Sequence, residues 1–324
     1  MRKTGIILTI ITLIILASCA TSVSYQTTRL PEWNTASIRS VAIVPFEVSE
    51  DTALQRHVAS LLNSTSYSQI RRANHFNQVQ VWTNEGYTPF DAVFTGKVYY
   101  AIVNDSTTSE VKFEKESEAL ADYLIFERVV QLAFIYTLTD SNNAIIGTKT
   151  IEDSFTDYYE LLVEDEELYD VNIRRSRGRR AQNQHNYNEY LTSPEILVQN
   201  MIYKNMRDLA RSMVPYTITE SRNLMSETSK DKAIKQRAKD AASFVKARNY
   251  IAAQEAFLSI YRDTGSYAAA FNVSLIMTAQ RQLNEALIFM QNVHNETRDQ
   301  RAREEIIRLQ RLMDNEIYAA AFRN

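Results

Sequence analysis

The sequence predicts an α+β domain, in which helices pack on a mixed sheet, followed by an all-helical domain. Over residues 38–225, short apolar runs closed by proline or turn residues alternate with helical patterns, as is typical of a mixed sheet covered by helices. Residues 226–324 contain no proline and repeat an apolar helical spacing, which predicts packed helices. With 45% hydrophobic residues, the composition is that of a globular protein with real cores.

The amino terminus has the pattern of a secretion signal. Arg2 and Lys3 precede an apolar run over residues 5–16, which is shorter than the ~20 residues that a membrane-spanning helix needs. Residues 16–19 read LASC and contain the single cysteine of the chain. This tetrapeptide resembles the lipobox of bacterial lipoproteins, in which the cysteine receives a diacylglyceryl group and becomes the first residue after cleavage.

We therefore expect a signal peptide over residues 1–18 and lipidation of Cys19. One cysteine cannot form an intrachain disulfide or a multi-cysteine zinc site, whereas two or three acyl chains would make a stable membrane anchor. Ala20, rather than an aspartate, follows Cys19. By the sorting pattern of enteric bacteria this resembles a lipoprotein of the outer membrane that faces the periplasm, with another leaflet or the cell surface as the alternative.

The charge balance argues against a nucleic-acid partner. The formal net charge is −3, and loss of Arg2 and Lys3 with the signal would make it −5. Affinity for phosphate backbones depends on an excess of basic residues, which this chain lacks. Residues 19–37 are polar without periodicity and predict a lipidated flexible tether.

The α/β domain is predicted over residues 38–225. An apolar run, VAIV, ends at Pro45 and is typical of a strand buried on both faces, and a helical spacing follows at 51–63. Ser193 and Pro194 are typical of a helix start, and Pro215 marks its end. Apolar runs and alternating apolar residues predict four further strands, at 76–82, 90–103, 128–140 and 142–155.

Parts of this domain resemble a known group. VAIVPF, FDAVFTGKV, LAFIYTLTDSNNAIIGTKT and the helix before Pro215 resemble the periplasmic α/β domain of curli-secretion lipoproteins, which the lipoprotein activators of peptidoglycan synthases share. The resemblance covers about residues 38–220 and implies a subunit of an oligomeric secretion or assembly complex. Pore-forming members carry long amphipathic hairpins, whereas residues 104–119 here are polar.

The helical domain, residues 226–324, contains two similar segments. Residues 241–266 resemble one tetratricopeptide repeat and residues 268–293 resemble a second. Ala253 and Ala286 occupy equivalent positions 33 residues apart, close to the usual period of ~34. The resemblance implies a groove for a peptide or helix of a protein partner. It also makes Asn272 a candidate contact to the backbone of that peptide, although Asn272 could equally stabilise its own repeat.

No pattern in the sequence predicts catalysis, a cofactor or a metal site. The four histidines are scattered without metal-ligand spacing, and neither a nucleophile elbow nor a phosphate loop occurs. We therefore expect a non-enzymatic protein.

One basic run offers a second candidate contact. It follows the acidic run EDEELYD at 164–170 and contains five arginines, Arg174, Arg175, Arg177, Arg179 and Arg180. The arginines could bind phosphate groups or an acidic partner. A solvated insertion with mutually compensating charges is the favoured interpretation.

The sequence thus predicts a lipid-anchored envelope scaffold or adaptor that binds a protein through a short helical-repeat groove. The alternative is a subunit of an oligomeric outer-membrane secretion complex. Whether copies of the chain associate is left open.

Overall fold

The computed structural model describes residues 21–82, 89–114, 119–162 and 187–322. The chain divides into two compact units, one formed by Pro31–Val214 and the other by the residues up to Leu30 together with Pro215–Asn324. A mixed sheet with packed helices precedes a run of packed helices, which confirms the predicted fold class. The first described strand, β1 (Ser22–Arg29), belongs to the helical unit although it precedes the sheet in the chain.

The described residues of the Pro31–Val214 unit form a six-stranded sheet. Its order is β4-β2-β5-β6-β7, with β3 beside β5. Strand β2 pairs in parallel with β4 and β5, and β5, β6 and β7 pair antiparallel. The strands are β2 (Ser40–Ile43), β3 (Glu47–Val48), β4 (Gln78–Val81), β5 (Ala92–Glu114), β6 (Ala119–Asp140) and β7 (Ile145–Leu162).

Helices cover one face of this sheet. They are α1 (Ala53–Arg72), α2 (Tyr187–Tyr190), α3 (Pro194–Met206) and α4 (Leu209–Met213). The Thr52 hydroxyl accepts a hydrogen bond from the Gln55 N–H at 3.2 Å and caps α1. The core joins helix residues to alternate residues of β6, among them Val130, Leu132, Phe134, Tyr136 and Leu138. This spacing follows from the two-residue period of a strand.

Two glycines allow aromatic rings to pack directly on the sheet. A Cβ on Gly96 would lie 2.1 Å from the Phe46 ring, and one on Gly147 would lie 2.2 Å from the Trp33 ring. The Trp33 ring in turn meets the Tyr136 ring edge to face at 6.0 Å. Any larger side chain at either glycine would displace a ring from the core.

Strands β5, β6 and β7 continue beyond the main core as a three-stranded ribbon. The polar residues 104–114 belong to it as the last part of β5. Arg128 of β6 is 3% exposed, and its Nε and Nη2 donate to the Asp105 carboxylate at 2.7 and 2.8 Å. Its Nη1 donates to Asn188 Oδ1 at 2.8 Å and to the Thr192 carbonyl at 2.7 Å. The two bonds to Asp105 join β6 to β5 within the ribbon, and the bonds to Asn188 and Thr192 fasten the ribbon to the segment around α2.

The second unit contains five helices among its described residues. They are α5 (Lys232–Lys246), α6 (Tyr250–Thr264), α7 (Tyr267–Ala279), α8 (Leu283–Thr297) and α9 (Gln300–Ala320). Helix α7 is buried on nearly all sides, as expected for the central helix of a bundle. Gly265 ends α6 with φ +65°, the left-handed conformation that glycine adopts without strain. No described helix in either unit is long and apolar enough to cross a membrane.

Residues 22–29 differ from the predicted flexible tether over 19–37. They form β1, which pairs antiparallel with β8 (Tyr216–Asn223) from Ser22–Asn223 to Arg29–Tyr216. Val23, Tyr25 and Thr27 are buried by this packing. Local sequence patterns do not predict this strand, because its composition is polar and its partner strand lies almost two hundred residues later in the chain.

Candidate peptide-binding groove

The segment of the chain that follows β8 lies against α5, α6 and α7. We call residues 224–229 the linking segment, since they run from β8 towards α5. The Leu224 N–H donates to the Thr21 carbonyl at 2.8 Å, which extends the β1–β8 pairing by one step. The α5–α7 groove, lined by parts of these three helices, therefore already holds a length of extended backbone.

Asn272 of α7 holds the middle of the linking segment. Its Oδ1 accepts a hydrogen bond from the Met225 N–H at 2.7 Å, and its Nδ2 donates to the Met225 carbonyl at 2.9 Å. Asn272 is 2% exposed and Met225 is half-buried, so both bonds are partly shielded from water. One amide thus satisfies both backbone groups of one residue, which is a way of recognising extended chain without regard to its side chain.

Glu227 fixes the other end of the linking segment. Its Oε2 accepts from the Ser266 hydroxyl at 2.5 Å, and its Oε1 accepts from the Ser229 N–H at 2.9 Å. Ser266 caps α7, because its hydroxyl also accepts from the Ala269 N–H at 3.4 Å. The carboxylate consequently lies near the amino end of α7, where the helix dipole favours negative charge.

A cleft of about 240 Å³ remains beside the linking segment. Its apolar lining includes Leu224, Ala238 and Phe257, and two lysines, Lys235 and Lys239, line it as well. Both lysines are exposed and make no ion pair within the described residues. The volume lies below the ~300–1,000 Å³ typical of small-molecule pockets, so it suits one or two peptide side chains, with an acidic group at the lysines.

A buried charge network lies in the same unit as the α5–α7 groove. The Glu305 carboxylate, with its side chain 3% exposed, accepts from Arg308 Nη2 at 2.6 Å and from Arg222 Nη1 at 3.0 Å. Arg308 Nη1 also donates to the Tyr25 hydroxyl at 3.1 Å. The network therefore ties both strands, β1 and β8, to α9.

The same contacts shift the ionisation of neighbouring groups. Burial opposes the charge of Arg308, but its hydrogen bonds with Glu305 outweigh this, and the pKa of the guanidinium is raised. Burial and the Glu305 charge raise the pKa of Tyr267 to about 12, and burial likewise raises the pKa of Tyr25. Tyr25 and Tyr267 therefore stay protonated around neutral pH.

The candidate residues from the sequence are distributed as follows. Asn272 lies in the groove, and its amide is engaged by the chain's own Met225; its contact to a partner stays a prediction. Cys19 lies outside the described residues, as do the five arginines at 174, 175, 177, 179 and 180. Within the described part of the chain, no cluster of three or more His, Cys, Asp or Glu side chains could hold a metal ion.

Sequence reasoning did not find the linking segment or the charge network. Glu305 carried a usable signal, because it shares a buried stripe of α9 with Ala302, Leu309 and Leu312. A charged residue at such a position needs a buried partner. The linking segment carries no comparable signal, since residues 224–229 are mostly polar and lack periodicity.

Comparisons with known proteins add little to this geometry. No family model matches the chain, and no curated protein matches it. Among solved structures, the PelC dodecamer from Paraburkholderia phytofirmans is 12% identical with a TM-score of 0.27, covering 59% of this chain and 98% of that chain. A neuraminyllactose-binding hemagglutinin homolog from Helicobacter pylori is 10% identical with a TM-score of 0.29, covering 57% and 91%. At these TM-scores neither similarity supports an inference about function.

Proposed function

We propose that this protein is a lipid-anchored adaptor of the cell envelope that faces the periplasm and binds an extended segment of a partner protein in the α5–α7 groove. The observation that carries the proposal is the Asn272 amide, which holds both backbone groups of Met225 in that groove. The linking segment shows that this groove accommodates a length of the chain, and because Asn272 is engaged by Met225, an added peptide would bind in the cleft beside that segment.

The lining of the cleft beside the linking segment indicates which side chains the partner segment carries. Its apolar lining around Phe257 would take a hydrophobic side chain, and Lys235 and Lys239 would attract a carboxylate. The partner is therefore an extended segment in which an apolar residue lies next to an acidic residue or a chain end. No chemical step is involved, and the groove acts by binding alone.

The membrane anchor rests on the sequence pattern that ends at Cys19. Acylation of that thiol would fix the location of the protein, while the groove would supply its specificity. Labelled palmitate should be incorporated into the wild-type chain and not into Cys19→Ser, which should also move to the soluble fraction. Incorporation into Cys19→Ser would contradict the anchor without bearing on the groove.

Site-specific photo-crosslinking tests the groove directly. A photoreactive residue at Ala238, in the cleft, should give one discrete crosslinked product in intact cells. The product should disappear when Lys235 and Lys239 are both changed to glutamate. Lys232→Glu is the matched control, because Lys232 is exposed on the same helix and does not line the cleft. If the product persists when both lysines are changed to glutamate, or if Ala238 gives no product, the proposal is contradicted.

A second candidate function is a subunit of an oligomeric secretion or assembly complex, and the ribbon favours it. Within the described residues, strand β7 pairs with β6 alone, and from Tyr100 onward β5 also pairs with β6 alone. Long strands with one unpaired edge are templates for pairing with another chain, and head-to-tail pairing of this kind forms a closed ring when the rotation between subunits closes. Closed rings in electron micrographs of the extracted protein would support this function, and isolated particles would contradict it.

A further inference from the structure

A second groove lies within the Pro31–Val214 unit, between α1 and α3. Its volume is about 490 Å³. The lining side chains are hydroxyls, amides and guanidiniums, with no carboxylate among them, and they are Ser64, Thr65, Ser68, Gln69, Arg72, Tyr203 and Arg207. We call this the α1–α3 groove.

The helical period explains how the groove forms. Ser64, Ser68 and Arg72 follow one another at intervals of four along α1, so they share one face of the helix. Tyr203 and Arg207 have the same spacing at the end of α3. The apolar stripes of both helices enter the core, and the small serine side chains beside them leave the space that the groove occupies.

The groove carries a net positive charge. Arg72 makes no ion pair within the described residues, and Arg207 reaches the Asp208 carboxylate only at 3.7 Å while its side chain is 75% exposed. Both arginines lie at helix carboxyl ends, whose partial charge of about −0.5 each a single guanidinium more than offsets. At the end of α1, Arg71 alone would offset the partial charge of the helix end. Its Nη1 donates to the Tyr67 hydroxyl at 2.8 Å.

One hydroxyl beside the groove has no partner. Thr65 lines the groove and is 4% exposed, and its Oγ1 is shielded from solvent with no hydrogen-bond partner among the described residues. Buried polar atoms are nearly always paired, so this unpaired hydroxyl lowers the stability of the helix pair around the groove. The Tyr203 hydroxyl accepts from Gln199 Nε2 at 3.3 Å, which leaves its own proton free to be donated.

We propose that the α1–α3 groove binds a phosphorylated polyol, such as a sugar phosphate or a phosphoglycerol headgroup. Arg72 and Arg207 bind the phosphoryl oxygens, because guanidinium geometry matches phosphate oxygens. The hydroxyls of Ser68 and Tyr203 bind the polyol. A groove of 490 Å³ exceeds what a bare phosphate ion fills, and the lack of lining carboxylates removes the repulsion that an anion would otherwise meet. This site is independent of the α5–α7 groove.

Calorimetric titration of the lipidated, detergent-extracted protein tests the proposal at low ionic strength, where charge interactions are least screened. The probes are glucose 1-phosphate and dioctanoyl phosphatidylglycerol, with glucose as the uncharged comparison. We expect saturable binding of at least one phosphorylated probe with a dissociation constant of about 1 mM or lower, and none of glucose. Preference for the sugar phosphate assigns a soluble ligand, and preference for the phosphatidylglycerol assigns a lipid headgroup.

Paired variants separate a built site from general positive charge. Arg72→Gln and Arg207→Gln should each weaken binding roughly tenfold or more, since each removes charge-assisted hydrogen bonds. Arg71→Gln, which removes the same charge from the same helix end outside the groove, should leave binding within about twofold. Tyr203→Phe should weaken binding while the protein remains folded. Absence of saturable binding, or equal losses from Arg71→Gln and Arg72→Gln, would overturn the proposal.

Discussion

The two grooves differ in how their polar groups are used. In the α5–α7 groove the buried amide of Asn272 has both hydrogen-bonding groups engaged by Met225. In the α1–α3 groove the buried hydroxyl of Thr65 has no partner within the described residues. The first groove is therefore stabilised by the chain that crosses it, whereas the second is held open at some cost in stability. This difference predicts opposite responses to the removal of polar groups.

The largest loss of stability is expected when the charge network around Glu305 is disrupted. Glu305→Ala would leave Arg308 buried beside the Tyr25 ring without its carboxylate. Breaking a buried pair by removing one partner costs about 3–5 kcal/mol of unfolding free energy. Urea unfolding should show this loss for Glu305→Ala. The exposed neighbour provides the control, since Glu304→Ala should change stability by less than about 0.5 kcal/mol. Equal effects of the two variants would show that the network does not stabilise the unit.

A smaller loss of stability is expected when Asn272, whose amide binds the linking segment, is replaced. Asn272→Leu would leave the N–H and carbonyl of the half-buried Met225 without these partners, which costs about 1–3 kcal/mol. The linking segment should detach before the rest of the unit unfolds, so amide hydrogen exchange at Met225 should become much faster. Asn284→Ala, at an exposed site of α8, should change neither quantity. Unchanged exchange at Met225 in Asn272→Leu would contradict the role given to this amide.

Much of this architecture could be predicted from the sequence, and the two grooves show where prediction stopped. The strands around residues 90–103 and 128–140 and the helical run after 226 follow from periodicity, because their apolar residues face one core. Asn272 was found through its resemblance to a repeat position. Its occupant was not found, because the polar linking segment takes its conformation from contacts distant in sequence.

The α1–α3 groove was missed for a related reason. Ser64, Thr65 and Ser68 look like an ordinary solvated helix face when α1 is considered alone. They become a groove only when α3 places Tyr203 and Arg207 opposite them. A site composed from two helices about 130 residues apart in the chain leaves no local pattern.

The same substitution, threonine to valine, should change the unfolding free energy in opposite directions in the two units. Thr65→Val removes an unpaired hydroxyl and should raise the unfolding free energy by up to about 1 kcal/mol. Thr278→Val removes a hydroxyl that donates to the Ser274 carbonyl at 2.9 Å, and should lower stability by about 1 kcal/mol. Both residues are buried, so burial is matched. Urea unfolding of the two variants would contradict the comparison if both changed in the same direction.

The smallest expected effect is an acid sensitivity of the sheet unit. Burial alone would raise the pKa of Asp153, but hydrogen bonds from Lys204 at 2.9 Å and Asn205 at 2.7 Å outweigh it and lower that pKa. A carboxyl with a lowered pKa in the folded state contributes stability above its unfolded value of about 3.9, and this stability is lost as pH falls through the folded value.

Unfolding measured between pH 6 and about pH 3 tests this sensitivity. Asp153→Asn should show a shallower loss of stability below about pH 4 than the wild type. Glu152→Gln, at the exposed neighbouring residue, should follow the wild-type curve. An Asp153→Asn curve parallel to the wild type would remove this carboxyl from the acid response.

The central claim is that the lipidated protein binds a partner through the α5–α7 groove, and its native mass in mild detergent tests this most directly. We expect a monomer or dimer that carries one other protein. The companion should be lost when Lys235 and Lys239 are changed to glutamate and retained in Lys232→Glu. A large closed ring of this chain alone, unchanged by the double reversal, would contradict the adaptor and favour the secretion-complex function.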